Sequence, residues 1–103
     1  MNNIFADLPK NLEQEVIELL ASSETIRIER IISKGQTTKI GEWYDQSQDE
    51  WVLVLKGEAL LSIEGREIIR LTEGSYINIP AHQKHRVDWT DPTQETLWLA
   101  IYY

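Results

Sequence analysis

The chain has 103 residues, a length that suits one compact domain. Ten Lys and Arg against 17 Asp and Glu give a net charge of −7, and such a surface repels phosphate backbones and anionic lipid. We therefore expect no nucleic-acid partner and no membrane partner. Cysteine is absent, which excludes disulfides and thiolate chemistry.

The first residues carry neither the cationic region nor the apolar run of a signal peptide. No stretch of the chain approaches the ~20 apolar residues that a membrane-spanning helix needs. These two observations predict a cytoplasmic protein.

Residues 1–24 are predicted to form an N-terminal helical segment. In "NLEQEVIELLAS" (11–22), Leu12, Val16 and Leu19 recur at three- and four-residue steps, and Leu20 extends the same face. Asn11 is placed to cap the helix. The pattern therefore predicts one amphipathic α-helix.

Residues 25–103 are predicted to form a single β-barrel domain. Short segments rich in β-branched and aromatic residues follow one another, with Gly57, Gly65, Gly74 and Pro92 between them. The segments are "TIRIERII", "EWVLVLKG", "EALLSIEG", "REIIRLTEG", "SYINIP", "HRVDWTDP" and "TLWLAIYY". Such spacing is typical of an antiparallel sandwich or barrel.

Two of these strands are apolar on both faces. Residues 51–55 ("WVLVL") and 97–103 ("LWLAIYY") lack the polar face that a strand exposed to water on one side should show. The predicted helix is too short to cover both outer faces. We therefore predict a homodimer, in which a second copy covers the remainder.

A histidine and a glutamate are predicted to point into the barrel. In "HRVDW", His85 shares one face with Val87 and Trp89, while the charged residues share the other face. In "DEWVLVLKG", Glu50 has the parity of the inward valines. An inward carboxylate needs a cation, a proton or several donors, so it is a candidate functional group.

The second histidine, His82, lies in the turn "PAHQK" that follows the strand "SYINI". Pro80 ends that strand because it has no N–H to donate. Strand parity does not fix the direction of the His82 ring. The two histidine rings could therefore converge at the barrel mouth, but the sequence does not require it.

The chain resembles the cupin superfamily of small β-barrels. Cupins carry a first motif G-x5-H-x-H-x(3,4)-E-x6-G and a second motif G-x5-P-x-G-x2-H-x3-N. Glu50 and Gly57 match the end of the first motif, and Gly74, Pro80 and His85 match the second at every spacing. The resemblance covers about residues 25–103 and implies a cupin-type antiparallel barrel, or jelly roll.

The chain departs from both motifs, and the departures include the two histidine positions of the first motif. The two histidines of the first motif are replaced by Tyr44 and Gln46, or by Trp43 and Asp45 if the spacing is one residue longer. In the second motif, the glycine is replaced by histidine and the asparagine by tryptophan. The usual site of three histidines and one glutamate therefore cannot be assembled.

Three hypotheses follow for the lumen. The first is a metal centre of Glu50, His82 and His85, with Gln46, Asp45 or water completing the shell of a divalent ion such as Fe, Ni, Zn or Mn. The composition of two histidines and one carboxylate is that of non-haem iron sites. Because both histidines and the carboxylate lie in the motifs, we expect a small molecule and a possible metal to bind there.

The second hypothesis is metal-free chemistry. The Glu50–His85 pair would act as base and acid with Tyr44 as a further donor, as the resemblance to cupin-like sugar epimerases implies. Trp89 and Trp43 would wall a pocket for a small ligand. The third hypothesis is a non-catalytic binding or structural barrel, in which the pair only satisfies itself.

Overall fold

Eight antiparallel strands form the two sheets of the fold in a computed structural model, which describes residues 2–103. One sheet has five strands in the order β1-β2-β8-β3-β6, and the other has three in the order β5-β4-β7. The strands are β1 (Val16–Ser22), β2 (Arg27–Ser33), β3 (Glu50–Lys56), β4 (Ala59–Ile63), β5 (Ile69–Leu71), β6 (Tyr76–Ile79), β7 (His85–Thr90) and β8 (Thr96–Tyr102). The predicted antiparallel jelly roll is confirmed.

The core lies between the two sheets. The large sheet contributes alternate residues of its central strands, and the small sheet contributes alternate residues of β4. The buried members are Val52, Val54, Ala59, Leu61, Ile63, Leu71, Ile79, Trp98, Ala100 and Tyr102. Each Val, Leu or Ile side chain removed from water stabilises the fold by about 1.5–3 kcal/mol. The parity that was predicted for β3 is therefore the parity that builds the core.

The predicted N-terminal helix is wrong. Residues 16–22 form the edge strand β1, which pairs with β2, and no α-helix occurs among residues 2–103. Oδ1 of Asn11, the expected helix cap, accepts a hydrogen bond from the N–H of Glu13 at 3.0 Å. This bond closes a local turn, with no helix behind it. The pairing with β2 outweighs the helical preference of the segment.

The segment before β1 lies against the outer face of the large sheet. The buried side chain of Arg30, on β2, donates to the carbonyls of Ile4 (3.1 Å) and Ala6 (2.7 Å). Both Glu18 carboxylate oxygens accept from the same guanidinium at 2.9 Å. One planar guanidinium therefore ties this segment and β1 to β2.

The turn between β3 and β4 requires glycine. Gly57 has a φ of 91°, and a Cβ there would lie 2.6 Å from the Cα of Thr96 and 2.7 Å from the Glu95 carbonyl oxygen. Both the left-handed backbone and the close approach of β8 exclude a side chain. Gly57 is the glycine that ends the first motif, and the turn geometry explains why a glycine is needed there.

Candidate functional site

The loop before β3 is held against the turn before β7. Tyr44 and His85 exchange backbone hydrogen bonds of 2.8 and 3.1 Å. The N–H of His82 donates to the Gln46 carbonyl at 2.7 Å, and the N–H of Ala81 donates to Oδ1 of Asp49 at 2.9 Å. These bonds bring the two motif regions together at one end of the barrel.

Glu50 and His85 meet inside the barrel, as predicted. Both residues are buried, and Nε2 of His85 lies 3.3 Å from Oε1 of Glu50. Nδ1 of the same ring lies 2.9 Å from the carbonyl oxygen of Gln83. The backbone carbonyl therefore fixes the ring with Nε2 directed toward the carboxylate.

The two facing atoms of Glu50 and His85 are placed to share a proton. A carbonyl oxygen only accepts, so the Nδ1 that faces Gln83 must carry a proton. Nε2 and a carboxylate oxygen are both acceptors without a further proton, and they approach closely only when one lies on either atom. The pair is therefore a buried Glu–His dyad with the geometry for sharing a proton.

Opposing effects set the pKa of His85. Burial lowers the pKa of the imidazole, because it disfavours the charged ring. The hydrogen-bonding contact with Glu50, the Gln83 carbonyl and the charge of Glu50 raise it. Together they outweigh burial, so the pKa of His85 lies above its ordinary value.

A cavity of about 110 Å³ lies beside the dyad. Its polar lining consists of Glu15, Tyr44, Gln46, Glu50 and His85, together with the phenol of Tyr102. The remaining lining is apolar: Ile17, Ile31, Val52, Leu61, Ile79, Val87 and Trp98. A largely apolar cavity with a few convergent polar groups is the usual form of a small-molecule site.

Two phenols of the cavity are shifted toward their neutral form. Loss of solvation, followed by the charge of Glu15, raises the pKa of Tyr44. Burial, followed by the charge of Glu50, raises the pKa of Tyr102 well above its usual range. Both hydroxyls therefore stay protonated at neutral pH and are available as hydrogen-bond donors.

His82 is directed away from the cavity. Its side chain is 71% exposed, and Nδ1 lies 2.9 Å from Oδ1 of Asp45. Its backbone has a φ of 63°, in the left-handed region that favours glycine. The cupin motif places glycine at this position, so the histidine retains the glycine conformation of the turn.

Trp89 is also outside the cavity. β7 carries one extra residue opposite β4, because Val87 pairs with Leu61 while Trp89 pairs with Leu60. This bulge reverses the parity of the strand beyond Val87. Trp89 therefore shares the outer face with Leu60, and the predicted common face of His85, Val87 and Trp89 ends at Val87. Trp43, the other predicted wall, does not line the cavity either.

The donor set does not fit a three-ligand metal centre of Glu50, His82 and His85. Only Glu50 and His85 face each other, and the third residue binds Asp45 at the surface. Nowhere in residues 2–103 do three His, Cys, Asp or Glu side chains converge as a metal site. Protein sites for first-row metals ordinarily supply three or more such ligands.

The lining residues that the sequence analysis did not identify include Trp98, Tyr102 and Glu15. Trp98 and Tyr102 share the inward parity of β8, and Tyr102 lies directly opposite Glu50 in the β3–β8 register. That alternation could have identified both residues. Glu15 could not be found, because a helix over this segment would place its glutamates in water.

Glu15 immediately precedes β1, and its side chain lines the cavity. Its Oε1 accepts a hydrogen bond from the Ser33 hydroxyl at 2.9 Å, and Oγ of Ser33 accepts from Nε1 of Trp98 at 3.2 Å. Loss of solvation raises the pKa of Glu15, and the bond from Ser33 opposes that effect. Glu15 is an exposed residue, so its carboxylate lies at the solvent side of the cavity while Ser33 holds it.

These features define the class of the protein: a small antiparallel barrel with a buried Glu–His dyad in its lumen. The family model "Cupin domain" matches residues 31–102, which is most of the chain. The chain therefore belongs to the cupin family. No curated protein matches the chain.

Solved structures share the fold of this chain. A protein of Ralstonia eutropha JMP134, named a "putative mannose-6-phosphate isomerase", is 42% identical with a TM-score of 0.95, over 99% of this chain and 95% of that one. A protein of Thermus thermophilus is 20% identical with a TM-score of 0.81, over 99% and 94%. A cupin superfamily protein of Desulfitobacterium hafniense DCB-2 is 21% identical with a TM-score of 0.76, over 92% and 82%.

In the described part of the chain, no helix is long and apolar enough to cross a membrane. The cytoplasmic location stays a prediction from the sequence.

Proposed function

We propose that the chain binds a small carbonyl compound in its lumen and moves a proton on it without a metal, as an isomerase or epimerase does. The observation that carries the proposal is the buried Glu50–His85 dyad, in which Nε2 of His85 lies 3.3 Å from Oε1 of Glu50. A buried acid–base pair beside an apolar cavity is suited to proton transfer.

Each polar group has a role in such a transfer. The dyad takes the proton from the carbon next to the carbonyl group and returns it to the substrate. The Tyr44 phenol, which stays protonated, donates a hydrogen bond to the oxygen on which negative charge develops. Tyr102 and Gln46, which also line the cavity, orient the substrate.

The cavity limits the size of the enclosed part of the substrate. A protein cavity of about 150 Å³ holds benzene, so about 110 Å³ encloses on the order of five non-hydrogen atoms. A hexose phosphate is several times too large to be enclosed. The name of the Ralstonia protein supports an isomerisation, while the cavity favours a smaller substrate than that name states.

Proton exchange in deuterium oxide tests this function. A panel of small hydroxy- and amino-carbonyl compounds is incubated with the protein in the presence of a chelator, and deuterium incorporation is followed by NMR. We expect enzyme-dependent exchange at the carbon next to the carbonyl. Glu50→Gln and His85→Gln should each lower its rate by about 10²-fold or more.

His82→Gln is the matched control, because it makes the same change at the exposed histidine in the turn before β7. Its exchange rate should equal that of the unmodified protein. Exchange that survives in both Glu50→Gln and His85→Gln would contradict the assignment of the dyad. Exchange that appears only when a divalent metal replaces the chelator would contradict the metal-free mechanism.

A further inference from the structure

The net charge of the cavity depends on Glu15. A protonated His85 would be balanced by the Glu50 carboxylate 3.3 Å away, so the dyad adds no net positive charge to the cavity. No Lys or Arg is among the residues of the described chain that line the cavity. Glu15 is therefore a carboxylate that no Lys or Arg of the described lining compensates.

The walls of the cavity also favour positive charge. Tyr44, Trp98 and Tyr102 line it, and the faces of aromatic rings attract cations. Tyr102 already binds one cation in this way, because the guanidinium of Arg27 lies 4.3 Å from its ring centroid. Arg27 is itself neutralised by Glu29 at 2.9 Å and does not line the cavity.

Glu15 belongs to the N-terminal segment of the chain. It lies outside residues 31–102, which the family model matches. Its carboxylate is nevertheless held in place through Ser33, which in turn binds the buried indole of Trp98. A carboxylate anchored at the mouth by a core residue is positioned to contact an entering ligand.

We propose that the lumen selects a small organic cation, with the ammonium group at Glu15 and the enclosed carbon atoms toward the dyad. This proposal rests on the proposed function, because both concern the same cavity. It adds the class of ligand, which is an amine-bearing compound rather than a phosphorylated one. The net charge of −7 on the chain adds long-range attraction for cations.

Three probes of similar shape and different charge test the ligand class directly. Tetramethylammonium, tert-butanol and trimethylacetate are titrated against the ¹⁵N-labelled protein, and dissociation constants are taken from backbone amide shifts around the cavity. We expect tetramethylammonium to bind about tenfold more tightly than tert-butanol, and trimethylacetate to bind most weakly. Glu15→Gln should reduce the preference for the cation about fivefold.

Glu13→Gln removes the same charge from an exposed residue that does not line this cavity, and it should leave the preference unchanged. Binding of trimethylacetate as tight as that of the cation would overturn the proposal. An unchanged preference in Glu15→Gln, or no saturable binding of tetramethylammonium, would overturn it as well. The titration involves no proton exchange, so its failure is distinct from failure of the proposed catalytic function.

Discussion

His82 occupies a backbone position built for glycine, with a φ of 63°. A non-glycine residue in this region costs about 1–2 kcal/mol, and the exposed contact with Asp45 returns little of it. Replacement by glycine also adds freedom to the unfolded chain, which opposes the gain. We expect His82→Gly to change the unfolding free energy by between zero and about +1 kcal/mol in urea titrations.

A β-branched residue at the same position should have the opposite effect. His82→Val removes the same ring but cannot relax in the left-handed region, so we expect a loss of about 1–2 kcal/mol. If His82→Gly were the more destabilised of the two variants, the ring of His82 would have a structural role that its exposure does not indicate.

The raised pKa of His85 predicts a pH dependence of stability. A folded-state pKa above the unfolded value of about 6.5 means that the protonated ring stabilises the native state. This contribution is fully present below about pH 6.5 and is lost as the pH rises through the folded-state pKa.

The unfolding free energies of the native protein and His85→Gln, measured by urea titration at a series of pH values, should therefore approach each other as the pH rises. The difference in unfolding free energy between the two should be largest near pH 6 and fall toward pH 9. A difference that grows with pH would mean that burial, and not the contact with Glu50, dominates the titration of the ring.

The sequence predicts the dyad but not the rest of the site. Glu50 and His85 follow from strand parity and motif spacing, because each is the first residue of its strand and lies before the register shift in that strand. The outward placement of Trp89 depends on the bulge in β7, which strand alternation cannot reveal. The direction of His82 depends on a contact with Asp45, 37 residues away in the chain.

At the scale of elements, the error at β1 shows what a local pattern leaves out. Leucines at helical spacing also fit an edge strand with a bulge, which β1 has between Leu19 and Ala21. Glu18, which a helix would leave in water, binds Arg30 on the neighbouring strand. These interactions form between strands, so the residue pattern within 11–22 cannot predict them. The seven later strands can be predicted because each is bounded by turn residues.

The turn between β3 and β4 gives a test at the same scale. In Gly57→Ala, the new methyl group would collide with the backbone of β8 in addition to straining a φ of 91°. We expect a loss of about 3 kcal/mol or more in unfolding free energy, measured by thermal or urea denaturation.

Gly65→Ala is the matched comparison. Gly65 has a similar φ of 81°, but nothing lies within 4 Å of a Cβ at this position. The expected loss is about 1 kcal/mol, which is the cost of the backbone conformation alone. Equal losses in the two variants would show that β8 moves away from the turn without penalty.

At the scale of the whole molecule, the outer face of the large sheet supports the predicted homodimer. Trp51, Leu53, Leu99 and Ile101 lie on this face and are only half-buried in the isolated chain. We predict that a second copy covers them. Sedimentation at micromolar concentration should return about twice the chain mass of 12.0 kDa.

Leu53→Glu should shift this equilibrium toward the monomer, because an interface cannot bury an unpaired carboxylate without a large cost. Ile68→Glu makes the same change at a side chain that is 62% exposed just before β5, and it should leave the mass unchanged. A monomeric native protein, or a Leu53→Glu variant that still dimerises, would contradict the prediction.

The position of β8 has a consequence for biosynthesis. β8 is the last of the eight strands in the chain, yet it lies in the middle of the large sheet, between β2 and β3. A nascent polypeptide that has emerged only through β7 therefore has two unpaired edges where its sheet should be continuous, and it lacks Trp98 and Tyr102 from its core. We expect the barrel to form in one late step on the ribosome or after it, with earlier strands dependent on chaperone protection until β8 arrives.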